Sequence, residues 1–303
     1  MPAAILTSGL TKRYGRSTVL DQLDLEVGTG EVVGYLGPNG AGKTTTIRLL
    51  LGLVGASAGR AEIFGLDCAR QAVAVHRRLA YVPGEANLWP GLTGAETLHL
   101  LGQVHGRVEP DYRDELVQRF ALDPSKKIRA YSKGNRQKVL LIAALMSRAE
   151  LLLLDEPTSG LDPLMEQVFR QCVHEVKANG QTVLLSSHIL SEVESLCDRV
   201  AILRDGKLVE VGTLEQLRHL ATVTVEVLFG SPPPVLDRVP GVSNVTGDGQ
   251  QVRLHLSGPI EPLLQALVGS DVIQLLSREP SLEELFLAHY GPDGRSAPEP
   301  VQA

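Results

Sequence analysis

Apolar residues follow two rhythms along this chain, and the change falls near residue 220. Before it, short unbroken apolar runs alternate with helical patterns, as in a domain whose parallel strands are joined by helices. Strands are predicted at 31–36, 79–82, 151–155, 182–186 and 199–203. The LLLL run ahead of Asp155 is apolar on both sides, which suits a central strand covered on both faces. The segment LDQLDLEV instead alternates Leu23, Leu25 and Val27, the pattern of a half-buried antiparallel strand. Asp205-Gly206, between AILR and KLVEV, predicts a type I′ hairpin with a purely structural role.

Beyond the change, TVTVEVLF puts Val223, Val225, Val227 and Phe229 on one face, and QVRLHL does the same with Val252, Leu254 and Leu256. Between them lie three consecutive prolines from Pro232 and the turn-rich stretch VPGVSNVTGDG. Helices are predicted at 260–268 and 281–289. Residues 220–290 therefore read as a small α+β domain, and 291–303, poor in hydrophobic residues, are expected to be disordered.

Composition narrows the choice of partners. A chain of 303 residues with 43% hydrophobic and 21% charged residues is an ordinary globular protein of about two domains. Its net charge of −6 argues against nucleic acid as a partner. The three cysteines, Cys68, Cys172 and Cys197, fit neither a disulfide framework nor a zinc pattern, so a reducing compartment is expected. The N-terminal residues do not read as a signal peptide. No apolar stretch is long enough to span a bilayer, so any membrane span would come from another chain.

The chemistry begins at Gly37-Pro38-Asn39-Gly40-Ala41-Gly42-Lys43-Thr44-Thr45, which matches G-x-x-x-x-G-K-[ST]. It follows the apolar EVVGYL and precedes the helical TTTIRLLLG, the strand–loop–helix context in which backbone N–H groups and a helix N-terminus face a phosphate. Lys43 is expected to reach the β- and γ-phosphates and the Thr44 hydroxyl to hold Mg²⁺. At the end of LLLLDEP, Asp155 is the expected carboxylate for water on that Mg²⁺, and Glu156 a general base for the attacking water.

With these residues in place, the chain resembles the ATP-binding cassette (ABC) superfamily over residues 5–219. Tyr131-Ser132-Lys133-Gly134-Asn135-Arg136-Gln137 is similar to the ABC signature, although alone it could also be a helix cap. The resemblance implies that Ser132 and Gly134 grip the γ-phosphate of ATP held by an opposite subunit. Ser159-Gly160-Leu161-Asp162 looks like the loop that lines the dimer interface, His188 like the switch histidine, and Tyr14 like the aromatic that stacks on adenine. The implied fold is α/β. It comprises a P-loop nucleotide-binding domain at 1–219, with a RecA-like core, an antiparallel β subdomain and a helical subdomain at about 85–145, and the small C-terminal α+β domain at 220–290.

Two departures stand out. Where the family usually carries Gln, this chain reads Tyr81-Val82-Pro83-Gly84-Glu85, so either Glu85 substitutes or the contact is lost. The signature carries Lys133 and Asn135 where Gly and Gln are common, although Y-S-K-G resembles cassettes of two-component exporters. The resemblance implies an ATPase binding ATP and Mg²⁺, paired as a homodimer or with a related cassette. It would lie on the cytoplasmic face of the membrane and power a separate polytopic permease, with a hydrophobic drug or antibiotic as cargo. A soluble ABC ATPase acting on ribosomes or nucleic-acid assemblies is the alternative. Against it stand the single cassette, the absence of a heptad run and the net charge of −6.

Overall fold

The first strand, β1 (Ala3–Tyr14), is absent from those expected, because its apolar positions do not alternate cleanly. Gly9 sits at φ 54 and the pairing shifts register around it. The computed structural model describes residues 3–106, 109–219 and 223–278. LDQLDLEV forms two strands, β2 (Ser17–Leu23) and β3 (Glu26–Gly28), both antiparallel to β1. At the break, Thr7 Oγ1 donates to the Leu23 carbonyl (2.9 Å) and accepts from the Leu25 amide (2.7 Å), while Asp24 accepts from the Gly9 amide (2.6 Å). These side chains supplement the backbone bond from the Thr7 amide to the Leu25 carbonyl (2.9 Å), and Leu23, Leu25 and Val27 stay buried across the interruption.

Next come β4 (Val32–Leu36), α1 (Lys43–Leu50), β5 (Ala58–Ile63), β6 (Leu66–Asp67), α2 (Ala72–His76) and β7 (Leu79–Val82). Strands β2-β1-β5-β6, with β3 on β1, make an antiparallel sheet. A helical region follows: α3 (Gly94–His105), α4 (Pro110–Arg119) and α5 (Lys133–Met146). Thr93 and Glu96 form a capping box at the start of α3, satisfying amides that the first turn leaves unpaired. Helix α5 is buried from Gln137 to Met146, which explains its nearly continuous apolar sequence.

The chain then alternates through β8 (Leu151–Asp155), α6 (Pro163–Ala178), β9 (Thr182–Ser187), α7 (Leu190–Leu196), β10 (Arg199–Arg204) and β11 (Lys207–Thr213). The second sheet has the order β11-β10-β4-β9-β8-β7, parallel from β10 to β7. Strands β4, β8 and β9 are buried along their whole length. Because β4, β9, β8 and β7 are adjacent and parallel, the loops leaving their C-terminal ends gather at one edge, where open α/β sheets bind ligands.

The chain divides into two units, 1–212 and 213–303, so the division precedes the compositional change at 220 and assigns α8 (Leu214–His219) to the second unit. The second unit has β12 (Val223–Phe229), β13 (Val242–Asp248), β14 (Gln251–Leu256), α9 (Glu261–Leu267) and β15 (Val272–Arg278). Its antiparallel order is β13-β14-β12-β15, around a core that includes Val225, Val227, Phe229, Leu254 and Leu263. The turn-rich stretch holds a full strand, β13. Its turn residues are absorbed by an irregularity near Asn244 (φ 49) and by Gly249 (φ 67) in the connection to β14. Strand β15 was not expected from the sequence either, because its half-buried positions do not follow a simple alternation. The helix expected at 281–289 and the tail at 291–303 lie outside the described residues. Among the described residues, no helix is long and apolar enough to cross a membrane.

Candidate active site

Residues 37–42 leave β4 and turn into α1. The Ala41 amide bonds back to the Pro38 carbonyl (3.2 Å), and Gly42 takes φ 113, a conformation that L side chains rarely adopt. A Cβ at Gly42 would also lie 2.7 Å from Leu20 Cδ2 and 3.0 Å from the Val19 carbonyl oxygen. The loop therefore rests on β2 and needs glycine there. No side chain caps the start of α1, so its first-turn amides remain available to an anion. Tyr35 on β4 and Thr46 on α1, both fully buried, are hydrogen-bonded at 3.0 Å and pin the helix to the sheet.

Pro38, Asn39 and Gly40 are exposed, whereas Gly37, Ala41, Gly42 and Lys43 are buried. The Lys43 ammonium bends over the loop, donating to the carbonyls of Gly37 (2.5 Å) and Pro38 (3.1 Å), and lies 4.0 Å from Glu156 Oε1. Desolvation lowers its pKa, while the charges of Glu156 and Asp155 oppose the shift. Thr44 Oγ1 donates to Asp155 Oδ2 at 3.0 Å, and Thr45 follows on the helix, half-buried. The second Asp155 oxygen accepts from Ser186 Oγ on β9. Asp155 is 3% exposed, a buried carboxylate held between two hydroxyls.

Glu156, at the end of β8, has φ 48, a strained conformation for a side-chain-bearing residue. Its amide donates to the Ser186 carbonyl (3.0 Å), which holds the turn. The same Oε1 that faces Lys43 meets His188 Nδ1 at 3.2 Å. Three segments that are distant in sequence, the start of α1 and the ends of β8 and β9, thus bring Lys43, Thr44, Asp155, Glu156 and His188 together. Gly84, after β7, lies against the same carboxylates: a Cβ there would sit 3.4 Å from the Asp155 carbonyl oxygen and 3.9 Å from its Cγ. Glu85 is exposed, and among the described residues no hydrogen bond joins its side chain to Asp155 or Glu156.

Other expected residues stand apart from this group. Ser132 caps α5, its Oγ accepting from the Asn135 amide (3.2 Å), so the cap reading describes its contacts within one chain. Lys133 Nζ donates to Ser159 Oγ (2.8 Å), and a Cβ at Gly134 would fall 2.3 Å from the Gly160 carbonyl oxygen. The start of α5 therefore packs on the loop after Glu156; among the described residues no hydrogen bond links Ser132 or Gly134 to residues 37–45. Tyr14, 49% exposed at the end of β1, carries the Lys12 ammonium 4.7 Å from its ring centroid.

Some contributors were not assigned from the sequence. Ser186 braces Asp155, and Gln137 donates to the Pro157 carbonyl (3.0 Å) from within the signature segment. The polar end of TVLLSS was the available signal for the first. The Asp205-Gly206 turn also braces the phosphate loop, a contact the sequence did not reveal: the Gly206 amide donates to the Ala41 carbonyl (3.1 Å) inside that loop.

Thr44 and Asp155 are oxygen donors side by side, as a Mg²⁺ bound mainly by phosphate requires. Among the described residues no cluster of three or more His, Cys, Asp or Glu could form an all-protein metal cage.

The model of the ABC transporter family matches residues 20–159. The chain is 36% identical over 310 residues to a daunorubicin resistance ATP-binding protein of Streptomyces coeruleorubidus, covering 96% of this chain and 97% of that protein. It is 38% identical over 308 residues to a bacitracin transport ATP-binding protein of Bacillus licheniformis, covering 96% and 98%. A solved structure of the ATP-binding subunit of an ABC transporter matches with a TM-score of 0.67 at 34% identity, over 71% of this chain and 92% of that one. Matched along nearly its whole length by relatives of this kind, and carrying the phosphate loop at the edge of a parallel sheet, the chain belongs to the ABC transporter family and is one of its ATPase cassettes.

Proposed function

We propose that two copies of this chain, or this chain and a related cassette, close head to tail around two ATP molecules and drive export through a separate polytopic membrane permease. The observation that carries the reading is the joining of Thr44 to Asp155 and of both Lys43 and His188 to one oxygen of Glu156. In this reading, residues 37–45 wrap the phosphates, Lys43 neutralises the β- and γ-oxygens, and Tyr14 stacks on adenine. Thr44 and Asp155 hold Mg²⁺, whose contribution is to neutralise charge on the β- and γ-phosphate oxygens. Glu156 takes a proton from water as the water oxygen bonds to the γ-phosphorus and the bond to the bridging oxygen breaks, leaving ADP and phosphate. His188 orients Glu156 and the transferring group.

Ser132 and Gly134 complete the site of the opposite subunit. The resemblance of Tyr131–Gln137 to the ABC signature is what supports this role in trans. ATP then acts as the glue between subunits, and its hydrolysis removes the contacts that favour closure. The helical region from α3 to α5 is the proposed seat of the permease, on the cytoplasmic face of the membrane. The names of the daunorubicin and bacitracin relatives support a hydrophobic drug or antibiotic as cargo.

Affinity isolation of the tagged chain from detergent-solubilised source membranes, with mass spectrometry of what accompanies it, tests the transport reading. A stoichiometric polytopic membrane protein is expected. Ribosomal proteins, or no membrane protein at all, would sink the permease while leaving the ATPase.

A further inference from the structure

The turn carrying His188 is tied to a second, deeper carboxyl. Ser187 Oγ donates to Glu192 Oε2 (2.5 Å) and accepts from the Ile189 amide (3.0 Å), so one hydroxyl closes the backbone on both sides of His188 and anchors it to α7. Glu192 is 8% exposed, and its other oxygen, Oε1, is buried with no hydrogen-bond partner among the described residues. An orphaned carboxyl oxygen in the interior is costly, so its retention calls for a reason.

Thr158, on the loop directly after Asp155–Glu156, faces the same carboxyl. Together with Glu166 and Arg170 of α6, and with Ile189 and Ser191, these two residues line a cavity of about 140 Å³. Glu192 thus stands between the loop that presents Glu156 and the turn that presents His188, the pair joined at 3.2 Å.

We infer that Glu192 is a positioning residue for hydrolysis, setting His188 against Glu156 through Ser187 and linking that turn to the loop after Glu156 through Thr158. The inference rests on the proposed roles of Glu156 and His188. Burial raises the Glu192 pKa, with Glu166 adding to the rise and Ser187, Thr158 and His188 opposing it. Glutamine keeps a side-chain oxygen at the same reach to accept from Ser187 Oγ, and alanine does not.

The test compares ATPase kinetics, ATP affinity and melting temperature of the full chain as Glu192→Ala, Glu192→Gln, Ser187→Ala, His188→Ala and the double variant His188→Ala/Glu192→Ala. Loss of alignment in Glu192→Ala is expected to lower kcat by roughly 10- to 100-fold. ATP affinity should stay within about 2-fold of wild type, and Glu192→Gln should recover most of the rate. In the His188→Ala background, Glu192→Ala should cost nothing more, because its effect runs through His188. A folded Glu192→Ala with the wild-type rate, beside an impaired His188→Ala, overturns the inference; so does a loss that adds fully to that of His188→Ala. If His188→Ala itself turns over normally, the underlying site reading fails and the inference falls with it. Should Glu192→Ala not fold, Ser187→Ala decides: a reduced kcat at unchanged affinity supports the link, and a normal kcat removes it.

Discussion

Gly206 lies in a surface hairpin turn far along the chain from the phosphate loop, yet its backbone joins that loop to strand β2. It sits at φ 77 beside Asp205 at φ 47, the two positive values a type I′ turn needs. Its amide donates to the Ala41 carbonyl at 3.1 Å and its carbonyl accepts from the Asp21 amide at 2.9 Å. In Gly206→Ala the new Cβ would lie 2.4 Å from the Val19 carbonyl oxygen and 2.8 Å from its carbon. Both are backbone atoms that cannot rotate away, so the turn or β2 must move. The left-handed conformation costs alanine about 1 kcal/mol, and weakening the two hydrogen bonds costs about 1 kcal/mol each. A total of roughly 2–4 kcal/mol corresponds to a fall in melting temperature of about 5–15 °C for a unit of this size. Because one of those bonds ends inside the loop, ATP affinity should weaken about 5-fold, the equivalent of about 1 kcal/mol. Thermal unfolding by circular dichroism and calorimetric titration with ATP measure the two effects. Asp205→Gly, at the exposed neighbour in the same turn, should leave both close to wild type. Gly206→Ala with unchanged melting and affinity would refute the close packing. A lower melting temperature with unchanged affinity would refute the link to the loop alone.

Other outcomes follow from the same geometry. Glu156→Gln should still bind ATP while its turnover falls roughly 10²- to 10⁴-fold, the scale of lost acid–base assistance; a normal turnover number removes Glu156 from that role. Lys43→Ala takes away the buried ammonium beside Glu156, so nucleotide titration should show weakened ATP binding, and an unchanged Kd contradicts the phosphate assignment. Gly84→Gln should melt within about 2 °C of wild type, since its Cβ meets only ordinary contacts near Asp155; a large drop would mean the glycine is sterically required. Glu192 is neutral-favouring when folded, so its stabilising share is complete below the unfolded-state pKa and lost as pH rises through the raised folded value. Glu192→Gln should therefore gain stability relative to wild type as pH rises from the ordinary carboxylate range. Melting curves across pH that stay parallel would contradict the burial argument.

The elements legible in the sequence were those whose signal is local. Unbroken apolar runs announced β4, β8 and β9 because both faces of those strands are buried. The fragmentary strands escaped notice. β1 carries a register shift at Gly9, and β13 begins among turn residues, so neither shows a clean two-residue period.

The sequence by itself determined the nucleotide chemistry: G-x-x-x-x-G-K-[ST] between strand and helix, Asp155-Glu156 after an apolar strand, and the ordered run of family motifs. Such motifs are readable because they need particular residue types at short spacing, whatever surrounds them. Only the tertiary structure decided that Ser186 braces Asp155, that Gly206 holds Ala41, that Gly84 lies beside the carboxylates and that Ser187 and Glu192 frame His188. Most of these contacts join side chains or backbone atoms across adjacent strands and their loops, and their partners are set by strand order. Neither a periodic pattern nor a short motif carries strand order, because parallel neighbours such as β4 and β9 are joined by the packing of the whole sheet.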